Sequence, residues 1–145
     1  MNILTKYDVT ELRKSNKFVE YSNFVKLAAH LVGYGFHCSW LPVDDSGADF
    51  IGVHIITNQV IKVQIKSRIT INKKYENKDL LIAFPKNEKN YEKEWVIVPH
   101  DELISIFTTP ENYAKNNGKS ALSVPKRMWD HIKDISIIEP CNLYF

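Results

Sequence analysis

Apolar positions along the chain change period several times, and each change marks an element. Over residues 18–32, Phe18, Tyr21, Phe24, Val25, Ala28, Leu31 and Val32 recur at intervals of three and four, the period of an amphipathic helix. Ser15 or Asn16 supplies a cap and Gly33 a stop. Thr10 ahead of Glu11 opens a shorter helical turn before it. Residues 36–43 then read as a first strand ending near Pro42, and Asp44-Asp45-Ser46-Gly47 as a turn. Residues 49–56 and 60–68 read as two strands joined tightly through Thr57-Asn58-Gln59, which predicts a hairpin. A lysine-rich loop over 72–79 follows.

Two short, wholly apolar runs come next, Leu80-Leu81-Ile82-Ala83-Phe84 closed by Pro85 and Trp95-Val96-Ile97-Val98 closed by Pro99. Such runs fit strands buried on both faces. The charged segment 86–94 between them reads as a surface loop. Pro99 and Asp101 open a short helix through Phe107, and residues 108–122 read as polar and irregular, with a turn at Asn116-Asn117-Gly118. Ser123 and Pro125 suit the start of a last helix over 125–133, and residues 135–138 a last strand. The order helix, three strands, strand, strand, helix predicts an α/β fold with a central mixed sheet flanked by helices.

Length and composition keep this picture to one domain. A chain of 145 residues can bury one hydrophobic core, and 44% hydrophobic against 25% charged residues is the balance of a folded protein. The net charge of +2 neither requires nor excludes a nucleic acid. Lysines are nonetheless clustered: Lys62, Lys66, Arg68, Lys73, Lys74 and Lys78 share one stretch, and Lys86, Lys89 and Lys93 the next. The segment 68–78, interleaved with Tyr75, reads as a solvated loop or as a contact to a phosphate backbone. Cys38 and Cys141 form no CxxC pair and no disulfide framework, and Cys38 reads as a buried thiol. The first residues lack the apolar core of a signal peptide, and no apolar run reaches transmembrane length. A cytoplasmic protein with no membrane association is the expectation.

The chemistry concentrates in residues 60–67. Along a strand alternate side chains share a face, so Gln64 and Lys66 point together while Ile61, Val63 and Ile65 point the other way. Asp49 lies on the neighbouring strand and Glu20 on the first long helix. Carboxylates are hard oxygen ligands suited to Mg²⁺, and a lysine beside them adds charge where an attacked phosphate becomes more negative. The Gln64 carboxamide oxygen can coordinate without charge, which lowers metal affinity.

With Glu20 on a helix, Gly47-Ala48-Asp49 at the head of a strand and Val63-Gln64-Ile65-Lys66-Ser67 on the next, the chain resembles the PD-(D/E)xK nuclease superfamily. The similarity runs over about residues 17–107. It extends to Trp95-Val96-Ile97-Val98-Pro99 ahead of Glu102-Leu103, and lies nearest the branch with Gln in place of the second acid. That branch includes group I intron homing endonucleases and several bacterial families. The resemblance implies a restriction-endonuclease-like core and Mg²⁺- or Mn²⁺-dependent hydrolysis of DNA. It implies Asp49 as principal metal ligand, Glu20 as a direct or water-mediated one, Gln64 as a weaker one and Lys66 as the catalytic lysine. Val43-Asp44 stands where a Pro-Asp pair is sought, with Pro42 one place early. One small domain offers one site, so cutting both strands implies a homodimer or higher oligomer. The Gln at position 64 also admits a catalytically weak module that binds nucleic acid or a protein partner.

Read singly, each residue has an ordinary role. Glu20 fits a solvated acid in a helix's first turn, Asp49 a turn cap, and Lys62 and Lys66 the guarded face of an edge strand. Asp44 and Asp45 read as loop residues, and Trp40, Trp95 and Trp129 as core anchors. His30, His37, His54, His100 and His131 show no metal-ligand spacing and read as structural.

Overall fold

A computed structural model describes residues 4–45, 47–86, 94–121, 123–135 and 137–140. Cys141, Lys89 and Lys93 lie outside the described residues, as does Ser46 of the predicted turn. The chain begins with a single helical turn, α1 (Val9–Leu12), whose start is fixed by Asp8 accepting from the Thr10 amide at 2.7 Å. Helix α2 (Asn16–Val32) follows, capped by the Ser15 hydroxyl, which accepts from the Phe18 amide. Its stop is spread over two glycines. Gly33 keeps a right-handed conformation, and the chain reverses at Gly35, at φ +85°, where a side chain would collide with the His54 ring.

Six strands form the central sheet in the order β1 (Phe36–Asp45), β2 (Ala48–His54), β3 (Val60–Ile65), β5 (Leu81–Pro85), β6 (Glu94–Pro99), β8 (Ile137–Pro140). The first three make an antiparallel meander, with Phe50 opposite Val63 and Gly52 opposite Ile61. Strands β3 and β5 are parallel, Gln64 facing Ile82, while β5, β6 and β8 are antiparallel. The sheet is therefore mixed, and helices cover both faces. A parallel pair needs a crossover, and here it holds β4 (Thr70–Asn72) and a 3₁₀ turn over Lys73–Tyr75.

Each face has its own core. On one, Phe24, Leu27 and Leu31 of α2 pack on Phe36, Phe50, Ile61, Val63, Ala83, Trp95 and Ile97. Each of the buried Val, Leu, Ile and Phe side chains contributes about 1.5–3 kcal/mol. Phe24 touches both Trp40 and Phe50 with ring centroids 5.1 Å apart, which fixes the helix over β1 and β2. On the other face, Ile82, Phe84, Val96 and Val98 pack against β4, α3 (His100–Phe107), α4 (Pro110–Asn116) and α5 (Lys126–Ile135).

Four sequence expectations are corrected. Strand β1 continues through Asp44 to Asp45, which pairs with Ala48, so these two are strand residues rather than turn residues. Strand β3 ends at Ile65 rather than at Arg68, because only its backbone as far as the Lys66 amide, 2.8 Å from the Ala83 carbonyl, follows β5. Within the segment expected to be irregular, residues 110–116 and 118–120 form regular elements: Thr109 caps α4 with Pro110 in its first turn, and β7 (Gly118–Ser120) pairs with β4. Asn72, assigned to the loop, closes β4 and caps the 3₁₀ turn.

Candidate active site

The sheet places β3 between β2 and β5. Lys62 and Lys66 are thus not guards of an edge strand, and the alternation of β3 acquires a different meaning. Ile61, Val63 and Ile65 join the α2-side core. Gln64 and Lys66 project from the opposite side of the strand, as period two requires.

Glu20, Asp49, Gln64 and Lys66 all line one cleft of about 350 Å³ at the end of β3, beside the first turns of α2. Asn16, Val19, Asn23, Trp40, Ile65 and Ser67 complete its wall. Asp49 is tied in by its Oδ2, which accepts from the Ile65 amide at 2.8 Å. That bond crosses from β2 to the tip of β3 and fixes the carboxylate next to the Gln64–Lys66 pair. Glu20 lies beyond the first turn of α2, which holds no acid, so a dipole-complementing role there is set aside. It is exposed, on the helix face shared with Asn16 and Asn23.

Gln64 is the unusual member. It is only 8% exposed on a sheet otherwise filled by apolar side chains. Its Nε2 donates to the Ile65 carbonyl over a long 3.3 Å, and its Oε1 is buried without a partner. A buried carboxamide oxygen left unsatisfied is destabilising by about 1–3 kcal/mol. Such a group is an acceptor in want of a cation or a donor. A half-turn of the amide exchanges its oxygen and nitrogen positions. The donor set of two carboxylates and one orphaned carboxamide oxygen fits a hard divalent cation held by oxygen ligands. Among the described residues, no group of three or more His, Cys, Asp and Glu side chains could hold a metal, so a third side-chain ligand in this cleft would be the carboxamide.

The ammonium of Lys66 sits 5.4 Å from the centre of the Tyr75 ring, and that of Lys74 4.9 Å from the same ring. Lys62 is held by its own ammonium, which donates to the Lys78 carbonyl at 2.8 Å. The basic segment after β3 thus folds back beside the strand rather than extending as a free loop.

Sequence reasoning missed Asn16, Asn23 and Trp40. The two asparagines were legible, at i−4 and i+3 from Glu20 on a helix. Trp40 was not, because its place depends on how α2 sits on β1. It is half-buried against Phe24 and Tyr21 and also walls the cleft, whereas Trp95 is the core anchor expected. The histidines do prove structural where their bonds are seen: His54 Nδ1 accepts from the Ile56 and Thr57 amides, and buried His100 accepts from Asn72. Cys38 is half-buried rather than buried, and its burial pushes the thiol up to about 11.

A larger depression of about 450 Å³ lies between α3 and α5, walled by Ser105, Thr108, Arg127, Met128 and His131 among others. It has no carboxylate in its wall and so lacks metal ligands of the hard-oxygen type. Compared with protein-family models, with curated proteins and with solved structures, the chain has no match. No helix among the described residues is long and apolar enough to cross a membrane.

Proposed function

We propose that this protein is a divalent-metal-dependent endonuclease of the PD-(D/E)xK type, with a restriction-endonuclease-like core, that hydrolyses phosphodiester bonds in DNA. The observation that carries the reading is the meeting of Glu20, Asp49, Gln64 and Lys66 in one cleft, with Asp49 bonded to the strand that bears the other two. Mg²⁺ or Mn²⁺ bound there supplies Lewis-acid polarisation of a phosphodiester oxygen and acidifies water. Asp49 is the principal ligand, fixed by the Ile65 amide. Glu20 approaches from α2, directly or through a water, and Gln64 offers its uncharged oxygen. Lys66 places positive charge beside the attacked phosphate, where negative charge grows, and orients the attacking water. One cleft makes one cut, so cleavage of a duplex takes a homodimer or a higher oligomer. The absence of a disulfide framework in the sequence fits work in the cytoplasm.

Plasmid relaxation with Mg²⁺ or Mn²⁺ tests this, run on the wild type beside Asp49→Ala and Lys66→Ala. Nicking by the wild type alone supports the assignment, and equal activity in all three sinks it.

A second reading is favoured by Gln64 itself, whose replacement of an acid leaves two carboxylates in the cleft. In it the fold binds nucleic acid or a protein partner without cutting. It predicts binding with no metal-dependent thermal shift. Gln64→Glu then separates the two, strengthening Mg²⁺ binding only where the cleft is otherwise a metal site.

A further inference from the structure

The ring of Tyr75 connects the turn before Asp49, the start of α3 and Lys66. It is 3% exposed, in the 3₁₀ turn of the crossover between β3 and β5. One side of its surroundings is the turn before Asp49: a Cβ added to Gly47 would come 3.0 Å from Tyr75 Cδ1. Another is His100, whose ring meets it edge-on with centroids 5.6 Å apart and planes at 82°. His100 is itself immobilised. Its Nε2 accepts from the Asn72 amide at 3.0 Å, so the proton resides on Nδ1, which donates to Asp101 Oδ1 at 3.0 Å. Asp101 Oδ2 in turn accepts from the Asn77 amide at 3.0 Å. The 3₁₀ turn is therefore gripped at Asn72 and at Asn77 by adjacent residues at the start of α3, with Tyr75 between them.

Over this fixed ring stands the Lys66 ammonium at 5.4 Å. A lysine has four rotatable bonds and loses much freedom when confined. An aromatic face offers an electrostatic rest for the cation that does not neutralise it, as a carboxylate would. We propose that Tyr75 is a positioning residue for Lys66, holding its ammonium over a fixed ring beside the cleft that Lys66 lines, and that His100 and Asp101 hold Tyr75 in place. Tyr75 touches no reacting atom. It acts through Lys66, and its catalytic effect rests on the nuclease reading above, while its hold on the ammonium does not.

The experiment combines lysine NMR with cleavage kinetics on the wild type, Tyr75→Phe and Tyr75→Leu. The Lys66 Hε resonances are assigned by their loss in Lys66→Arg. In the wild type they are expected upfield of an unfolded-chain lysine from the ring current, as are those of Lys74, which stands 4.9 Å from the same ring. Tyr75→Phe keeps the ring and the shift, and Tyr75→Leu loses it. In plasmid relaxation Tyr75→Leu lowers kcat roughly two- to fivefold, the span of an exposed cation–π contact expressed as a rate, with KM little changed and Phe restoring kcat. Lys66 Hε resonances without an upfield shift in the wild type overturn the proposal, whether or not the Tyr75 variants fold. A Tyr75→Phe defect as large as that of Tyr75→Leu overturns it as well. A wild type that shows the shift and cuts nothing upholds the positioning and refutes the nuclease reading instead.

Discussion

Replacing Gln64 by Met removes the orphaned oxygen while keeping the length and nearly the volume of the side chain. The wild-type Oε1 is buried without a partner, a penalty of about 1–3 kcal/mol. Against this stands the loss of one long hydrogen bond, from Nε2 to the Ile65 carbonyl at 3.3 Å, which contributes about 0.5–1 kcal/mol. The balance favours the variant by about 1 kcal/mol in the absence of metal. For a chain of this size that raises Tm by about 3–4 °C. Metal reverses the order. At a concentration about 100-fold above Kd, a bound ion stabilises the wild type by about 2.7 kcal/mol, and Gln64→Met, left with two carboxylates, gains less. Thermal unfolding followed by circular dichroism, with EDTA and with Mg²⁺ titrated in, measures both. A variant that melts several degrees below the wild type in EDTA, or one that gains as much from Mg²⁺, refutes the reasoning that position 64 sacrifices stability for a ligand.

Asp49→Asn keeps an acceptor for the Ile65 amide, whereas Asp49→Ala leaves that amide without its 2.8 Å bond; urea unfolding should show the Asn variant near wild type and the Ala variant weaker by about 1–2 kcal/mol, with cleavage lost in both. Gly47→Ala forces a side chain onto φ +90° and to within 3.0 Å of Tyr75 Cδ1, so stability in urea falls by about 1–3 kcal/mol. Burial holds the Cys38 thiol protonated up to about 11, above the roughly 8.5 of an unfolded chain. Its folded pKa is raised, so its contribution is intact below about pH 8.5 and is lost as pH rises through about 11; urea midpoints across that window should fall less in Cys38→Ala than in the wild type.

Much of this arrangement is legible in the amino acids, and the exceptions have physical reasons. The hairpin of β2 and β3 and the buried pair β5 and β6 follow from local patterns, apolar runs bounded by Pro, Gly and Asn. The pairing of β4 with β7 does not, since three-residue strands carry no readable period and their partners are remote in sequence. Helix α4 had its signals in Thr109, Pro110 and Glu111, a cap, a first-turn proline and a first-turn acid. They were obscured by the polar composition around them. In the site, period two alone put Gln64 and Lys66 together. That Asp49 reaches the tip of β3 depends on the register of β2 against β3, and that Trp40 joins it depends on the docking of α2. The hold of Tyr75 on Lys66 depends on a crossover that folds back, which no local pattern encodes.

On the proposed function, Glu20, Asp49 and Gln64 hold a divalent ion at the end of β3. Paramagnetic broadening by substoichiometric Mn²⁺ in an ¹H–¹⁵N spectrum tests it most directly. Early, selective loss of the amides around Glu20, Asp49 and Gln64 to Ser67 is expected, abolished in Asp49→Asn and competed by excess Mg²⁺. Broadening that centres elsewhere, for example near Glu76 and Asp101, or that persists unchanged in Asp49→Asn, contradicts it.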